Sequence, residues 1–219
     1  VGLAVFLSII LDGVSDPLIG YLSDRWKSRW GRRHPFIYLA SLPMAICVFC
    51  IYSPPDALLV SSDEVWSVFG YEASPVQWAL AAWLFVFASL LKLFHTCYHL
   101  PHLALGSELT DDYLERTRIF RYNTLFSMSG GAILAFSFYG YFFTSGPQAG
   151  LDTSHFAAVV ASFGGIVIFL TAYLTRDQIP YLAQPPKDLP KISVMDFVKE
   201  ATVVFKNRNY MMLFFGLFC

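Results

Sequence analysis

Long apolar stretches separated by polar segments dominate the chain. Five of them are close to the length of about 20 residues that crosses a bilayer as a helix, and a sixth begins near the end. They cover residues 1–22, 35–52, 76–106, 122–143, 156–174 and 210–219. The third stretch is too long for one perpendicular span, so we expect it to tilt or to project beyond the bilayer. The pattern predicts an all-α, polytopic membrane protein.

The polar segments alternate between basic ones and segments without any basic residue. Residues 24–33 hold five Arg or Lys, residues 110–121 hold three and residues 176–208 hold six. Residues 53–75 and 144–154 hold none and are predicted to be connecting loops. Because basic residues accumulate in loops that stay inside the cell, the three basic segments are predicted to be cytoplasmic.

The composition supports a membrane location. Hydrophobic residues make up 56% of the chain and charged residues 14%, whereas an average soluble domain has about 25% charged residues. The net charge of -1 gives no reason to expect a nucleic acid as partner. All four cysteines lie in apolar stretches, which argues against a disulfide framework; they are Cys47, Cys50, Cys97 and Cys219.

Two carboxylates lie inside the first apolar stretch. Asp12 and Asp16 are four residues apart, so a helix places them on one face with Ser15 beside them. Asp16 lies eight residues before Asp24 at the predicted interface, roughly 12 Å inside the membrane. Two such charges need a bridging cation, a shared proton, or cationic partners on helices outside this chain. Pro17 can free a backbone carbonyl as a further oxygen ligand.

Two groups of residues match motifs of a known transporter family. The first group comprises residues 12–20, 23–25 and 28–35, which read DGVSDPLIG, SDR and SRWGRRHP. The second comprises residues 101–110 and 115–118, which include ALGSELT and ERTR. In these motifs the chain resembles the second and fourth helices, and the loops after them, of the glycoside-pentoside-hexuronide cation symporters of the major facilitator superfamily.

The resemblance implies a fold and a division of the chain. Residues 1–176 would form the N-terminal transmembrane half without its first helix, residues 177–208 the cytoplasmic central linker, and residues 209–219 the start of the C-terminal half. The chain is therefore expected to be a fragment covering about helices 2 to 6 and the start of helix 7. The complete protein is expected to work as a monomer in a plasma or inner membrane.

The resemblance also implies a cation site. Asp12 and Asp16 match the family's two carboxylate ligands, Ser15 stands where the melibiose permease branch has Asn, and Thr96 matches the hydroxyl ligand. The coupling ion would be Na⁺ or H⁺, and no other cofactor or metal is expected.

Several residues are candidates for the substrate. His95, His99 and His102 share one face of the third stretch, with Lys92 nearby. They can line a substrate cavity, serve as structural histidines, or bind a metal. By the resemblance, His99 replaces a sugar-binding Asp, and Asn123 falls near a sugar-binding Arg. The family's Asp-Arg sugar clamp is therefore not reproduced, and a different substrate is plausible.

The basic segment after the first stretch is a candidate for conformational gating. In the superfamily, Gly-x-x-x-Asp-Arg and Gly-Arg-Arg elements pair with neighbouring helix ends on the cytoplasmic side. The alternative is a basic loop that only sets topology. The residues assigned to gating are Gly20, Asp24, Arg25, Gly31, Arg32, Arg33, Glu115 and Arg116.

The predicted function is cation-coupled symport of a sugar or glycoside by alternating access. The alternative within transporters is symport of a lysolipid or another amphipathic substrate. A remote alternative is a membrane-embedded metalloenzyme, because residues 95–102 hold three histidines, although such sites need several histidine boxes. We therefore expect a transporter whose partners are a small molecule and the lipid bilayer, and not an enzyme.

Overall fold

The computed structural model describes residues 15–26, 28–58, 66–68, 71–145 and 149–182. Its helix α1 covers residues 15–25 of the described chain. The other helices are α2 (His34–Tyr52), α3 (Pro75–Glu108), α4 (Tyr113–Ser145) and α5 (Ala149–Thr175). Short 3-10 helices cover Asp56–Leu58 and Arg176–Tyr181. The predicted helical architecture is confirmed, while Asp12 and the predicted stretch 210–219 lie outside the described residues.

Three of the described helices are long and apolar enough to cross a membrane. They are the segments His34–Tyr52, Pro75–Glu108 and Ser154–Tyr181. Helix α3 has 34 residues, a length of roughly 51 Å at 1.5 Å per residue, against about 30 Å of hydrocarbon. The expectation that this helix exceeds one perpendicular span therefore holds. Helix α4 contains the predicted span 122–143, and its crossing of the membrane stays a prediction.

Several connections contain more regular structure than predicted; in the predicted loop 144–154, for example, residues 149–154 already belong to α5. Helix α4 begins at Tyr113, so most of the charged segment 110–121 is helical. The Asp112 carboxylate caps the start of this helix by accepting a hydrogen bond from the backbone N–H of Leu114 at 2.8 Å. Within the connection 53–75, the strands β1 (Trp66–Val68) and β2 (Tyr71–Ala73) form an antiparallel pair. Their two-residue separation is a common hairpin spacing.

Helix α2 packs between α3 and α5. One residue from α2, Ile37, meets Leu105 of α3 and Ile168 and Ala172 of α5 in a buried cluster. The contact between α2 and α5 is close because Gly165 has no side chain. A Cβ at that position would lie 3.1 Å from the Cβ of Ala45. Small residues that let helix backbones approach closely are typical of membrane helix pairs.

Contacts at the two ends of the helices define opposite sides of the bundle. At one end, the Trp83 indole of α3 donates a 2.8 Å hydrogen bond to the carbonyl of Cys50 near the end of α2. At the other end, His34 at the start of α2 lies 3.0 Å from Thr175 at the end of α5. Adjacent helices therefore run in opposite directions, as the alternating charge pattern predicts.

Candidate cation site and ion-pair cluster

A hydrogen bond between two helices joins two of the predicted cation ligands. The Thr96 hydroxyl of α3 donates to the Asp16 carboxylate of α1, with 2.7 Å between Oγ1 and Oδ1. Thr96 is 3% exposed, and Asp16 is partly buried. Helical geometry puts Thr96 12 residues, or roughly 18 Å, before Glu108 at the end of α3. The hydrogen bond between Thr96 and Asp16 thus lies far from the end of α3, a helix that is long enough to span a bilayer.

Apolar side chains border this pair. Ile19 of α1, Ala40 of α2 and Cys97 of α3 form a buried cluster, and Ile19 and Cys97 are close in sequence to Asp16 and Thr96. A carboxylate in such surroundings keeps its charge at low cost only with hydrogen bonds or a cation nearby. The hydroxyl of Thr96 supplies one hydrogen bond, and the carboxylate oxygens remain ligands of the kind that Na⁺ or a proton prefers.

The remaining cation and substrate residues are only partly gathered around this pair. Asp12 lies outside the described residues, and Ser15 is placed one residue before Asp16 on α1. Lys92 is exposed on α3, one helical turn before Thr96. Whether these side chains share a cation site stays a prediction.

The three histidines of α3 form two separate ring contacts. The rings of His95 and His99 stack with their centroids 5.2 Å apart. His102 stacks instead on Tyr98, at 5.1 Å. His95 and His99 are exposed, whereas His102 is partly buried. The predicted histidine face therefore divides into an exposed pair and one inner residue.

His102 shares a cavity of about 170 Å³ with Asn123 between α3, α4 and α5. Thr171 and Thr175 of α5 add hydroxyl groups to its lining, and Leu105 belongs to its apolar wall. The two predicted substrate residues on different helices are thus brought to one cavity. Its wall is mostly apolar, and the hydroxyl, amide and imidazole groups are the few polar points at which a ligand or water could form hydrogen bonds.

The paired arginines of the basic segment meet one carboxylate at the end of α3. Arg32 Nη2 and Arg33 Nη2 lie 2.5 and 2.6 Å from the same oxygen of Glu108. Asp24 at the end of α1 contributes a second, longer contact, 3.4 Å from Arg33. We call Asp24, Arg32, Arg33 and Glu108 the ion-pair cluster. It ties the end of α1 and the start of α2 to the end of α3.

Burial strengthens this cluster. The side chains of Arg32, Arg33 and Glu108 are 14%, 8% and 19% exposed, so water screens their attraction less than at an open surface. Burial lowers the pKa of the Arg33 guanidinium, while the charge of Glu108 opposes that shift. Since arginine stays charged under all ordinary conditions, separating the cluster without new partners would leave a buried charge unpaired, which is costly.

Of the two glycines assigned to gating, Gly31 occupies a place where a side chain has little room, whereas Gly20 does not. Gly31 is buried and has a φ of 80°, in the left-handed region. Its backbone N–H closes a turn by donating to the carbonyl of Ser28 at 3.2 Å. Gly20 faces α3, where a Cβ would lie 4.0 Å from the side chain of Leu100. Arg25 is placed over the ring of Tyr21, with its guanidinium carbon 4.0 Å from the ring centroid.

Glu115 and Arg116 make local contacts in the connection between α3 and α4. Glu115 accepts a 2.9 Å hydrogen bond from the Thr110 hydroxyl, and Arg116 donates to the Thr110 carbonyl at 3.2 Å. Both contacts brace the start of α4. The structure therefore does not bring these two residues into the ion-pair cluster, and their gating role stays a prediction.

Sequence reasoning missed Glu108 and His34 as parts of this region. Glu108 lies in a recognised motif, and its position at the end of a span, on the same predicted side as the paired arginines, was a usable signal. His34 is fully buried and bonds to Thr175, which is 141 positions away in the chain. No local pattern predicts a contact of that kind.

The described residues give no support to the metalloenzyme alternative. In the ranges that the structure covers, no three His, Cys, Asp or Glu side chains are grouped closely enough to hold a metal ion. His34 and His155 lie near opposite ends of the bundle, at the start of α2 and the start of α5.

Comparisons with known proteins identify the kind of membrane protein. The profile of the family described as MFS/sugar transport protein matches residues 1–219. An uncharacterized symporter of Synechocystis sp., sll1374, is 35% identical over 138 residues, which are 63% of this chain and 23% of that protein. The putative glycoside/cation symporter YagG of Escherichia coli is 24% identical over 199 residues, 87% of this chain and 38% of the relative.

A third relative has a different named substrate. The sodium-dependent lysophosphatidylcholine symporter 1-A of Danio rerio is 25% identical over 131 residues, covering 59% of this chain and 21% of the relative. The matched parts thus span between a fifth and two fifths of these relatives. Together, the family match and the apolar helices identify an integral membrane protein with the predicted fold, and the resemblance to the cation symporters is confirmed.

Proposed function

Because the chain belongs to the MFS/sugar transport protein family, we propose that the complete protein is a secondary active transporter. It couples uptake of a sugar or glycoside to entry of Na⁺ or H⁺. The observation that carries this proposal is the partly buried hydrogen bond between Thr96 and Asp16, which joins two helices at a carboxylate beside an apolar cluster. Carboxylates within membrane-spanning helices mark ion pathways in transporters.

The mechanism is alternating access. An incoming cation binds the Asp16 carboxylate, which the Thr96 hydroxyl orients, and neutralises repulsion with the neighbouring Asp12. Neutralisation favours the conformation that captures substrate, and the two halves of the complete protein then rock about the site. On the side predicted to be cytoplasmic, the ion-pair cluster breaks as that side opens and forms again as it closes. The protein is a multi-pass monomer in a plasma or inner membrane.

The substrate is proposed to be a sugar or glycoside. The main support is a relative named a putative glycoside/cation symporter, and the mostly apolar cavity shared by His102 and Asn123 adds a few groups that can form hydrogen bonds to a sugar hydroxyl. A lysolipid is the second candidate, since another relative is named a lysophosphatidylcholine symporter. Transport without catalysis is consistent with the symporter names of all three relatives.

Uptake by the complete protein in proteoliposomes tests the proposal. Labelled sugars, glycosides and lysophosphatidylcholine should be assayed separately, with Na⁺ and pH gradients imposed one at a time. We expect a sugar or glycoside to be taken up and one of the gradients to stimulate its uptake. In Asp16→Asn, the apparent affinity for the coupling cation should fall about 10- to 100-fold, because a charged, hydrogen-bonded ligand is lost.

The matched control is Asp111→Asn, which removes an exposed carboxylate in the connection between α3 and α4. It should leave cation stimulation unchanged. Full coupling in Asp16→Asn would refute the cation assignment. Uptake of lysophosphatidylcholine without uptake of any sugar would replace the first substrate class by the second.

A further inference from the structure

The end of α5 and the 3-10 helix after it pack against the turn that carries the paired arginines. His34 Nε2 lies 3.0 Å from the Thr175 hydroxyl oxygen. The side chain of Ile179 covers Gly31, where an added Cβ would lie 3.2 Å from it. Gly31 and His34 are the residues immediately before and after the Arg32-Arg33 pair. The backbone is therefore held on both sides of the two arginines by one short segment, residues 175–179.

The direction of the first contact follows from the hydrogen bonds of Thr175. Its single hydroxyl hydrogen can reach the Thr171 carbonyl at 2.7 Å and His34 Nε2 at 3.0 Å; donation to the carbonyl, the shorter contact, leaves Nε2–H of His34 to donate to the hydroxyl oxygen. His34 is fully buried, so water cannot replace this partner. Removing the Thr175 hydroxyl would leave the buried donor of His34 without a partner. This loss would therefore cost more free energy than the loss of an exposed hydrogen bond.

The ion-pair cluster needs such support because its two cations repel one another. Arg32 and Arg33 both direct a nitrogen at the same oxygen of Glu108. Two guanidinium groups that share one oxygen would separate if their backbone could turn freely. Because Gly31 and His34 are held in place, the backbone of Arg32 and Arg33 has a defined position. Glu108 can then bind both guanidinium groups at once.

We propose that His34, Thr175 and Ile179 are positioning residues for the ion-pair cluster and couple it to the chain that leaves α5. This inference rests on the proposed transport function, in which the cluster closes one side of the protein. A displacement of residues 175–179 would lift Ile179 from Gly31 and weaken both arginine contacts with Glu108.

The test measures opening of this side of the complete protein without requiring a substrate. Ser23 is 4% exposed and precedes Asp24 of the cluster, so Ser23→Cys, with the native cysteines replaced, serves as the reporter. Its alkylation by a membrane-impermeant maleimide is followed in vesicles with this face outward. Glu108→Gln, which breaks the cluster directly, should raise the alkylation rate. Thr175→Val should raise it about two- to tenfold through the lost hydrogen bond.

Four further variants separate positioning from general damage. Thr175→Ser keeps the hydroxyl and should restore the original rate. Thr124→Val removes an exposed hydroxyl on α4 that donates to its own helix, at the carbonyl of Phe120, and should leave the rate unchanged. Ile179→Ala should act like Thr175→Val, through a different contact, whereas exposed Gln178→Ala should not.

A double-variant cycle decides the mechanism. If Thr175 acts through the cluster, Thr175→Val should add nothing to the alkylation rate of Glu108→Gln. Additive effects would overturn the proposal, as would a lower thermal stability of Thr175→Val with an unchanged alkylation rate. Failure of the complete protein to take up any substrate would count against the proposed function alone, because the alkylation readout does not depend on uptake.

Discussion

At the residue scale, Gly31 combines a positive φ with a close neighbour. Its φ of 80° costs a residue with a Cβ about 1–3 kcal/mol, and the Cβ would also press on Ile179. We therefore expect Gly31→Ala to destabilise the protein by about that amount, measured as a lower midpoint of thermal unfolding in detergent. Gly20→Ala is the control, since Gly20 is helical and its nearest contact would be an ordinary 4.0 Å. Equal midpoints for both variants would contradict the argument.

The position of a candidate site residue could be predicted from the sequence when it depends on a single helix. The depth of Asp16 follows from its distance to Asp24, and its pairing with Thr96 was anticipated from the family resemblance. The position of the paired arginines was also predictable, but their partner Glu108 depends on how α3 ends beside α2. His34 could not be assigned, because its contact with Thr175 exists only after α2 and α5 have packed.

At the element scale, the packing of α2 on α5 depends on which of two adjacent glycines faces the partner helix. A Cβ at Gly165 would lie 3.1 Å from Ala45 Cβ and 3.2 Å from the Ser41 carbonyl oxygen, whereas a Cβ at Gly164 would meet nothing within 4 Å. Because the Ser41 oxygen belongs to the backbone, α2 can yield only by moving as a whole. Gly165→Ala should therefore destabilise the protein by about 1–3 kcal/mol.

The neighbouring substitution supplies the control for this prediction. Gly164→Ala should be neutral or slightly stabilising, because alanine favours a helix over glycine by up to about 1 kcal/mol. Thermal unfolding of both variants in the same detergent gives the comparison. A larger loss in Gly164→Ala than in Gly165→Ala would mean that the helices pack through another face.

Elements were predictable where a long apolar run decides the structure. Helices α2, α3 and α5 follow from such runs, since a bilayer requires their backbone groups to be paired internally. Helix α4 begins at Tyr113, before the predicted span 122–143, because charge marks a membrane boundary without ending a helix. The strands β1 and β2 were missed since their three-residue segments are too short for a clear alternating pattern.

At the scale of the whole molecule, the alternating charge of the connections and the packing of the helices agree. The ion-pair cluster and the contact between His34 and Thr175 lie at one end of the bundle, and the contact between Trp83 and Cys50 lies at the other. The described parts of the basic segments, residues 24–26, 28–33, 110–121 and 176–182, therefore gather at the first end. Sequence predicted this grouping because each span reverses the direction of the chain, whereas the side of the membrane rests on charge alone.

Labelling of single cysteines from one side of the membrane can establish that orientation. Ser28 is exposed in the basic segment after α1, and Ala57 is exposed in the connection that has no basic residue. If basic segments stay inside, a membrane-impermeant maleimide added to intact cells should label Ala57→Cys and not Ser28→Cys, with the native cysteines replaced. Permeabilised cells should label both variants, which controls for reactivity. Labelling of Ser28→Cys in intact cells would invert the topology and place the ion-pair cluster on the outer side, where it would close the opposite entrance.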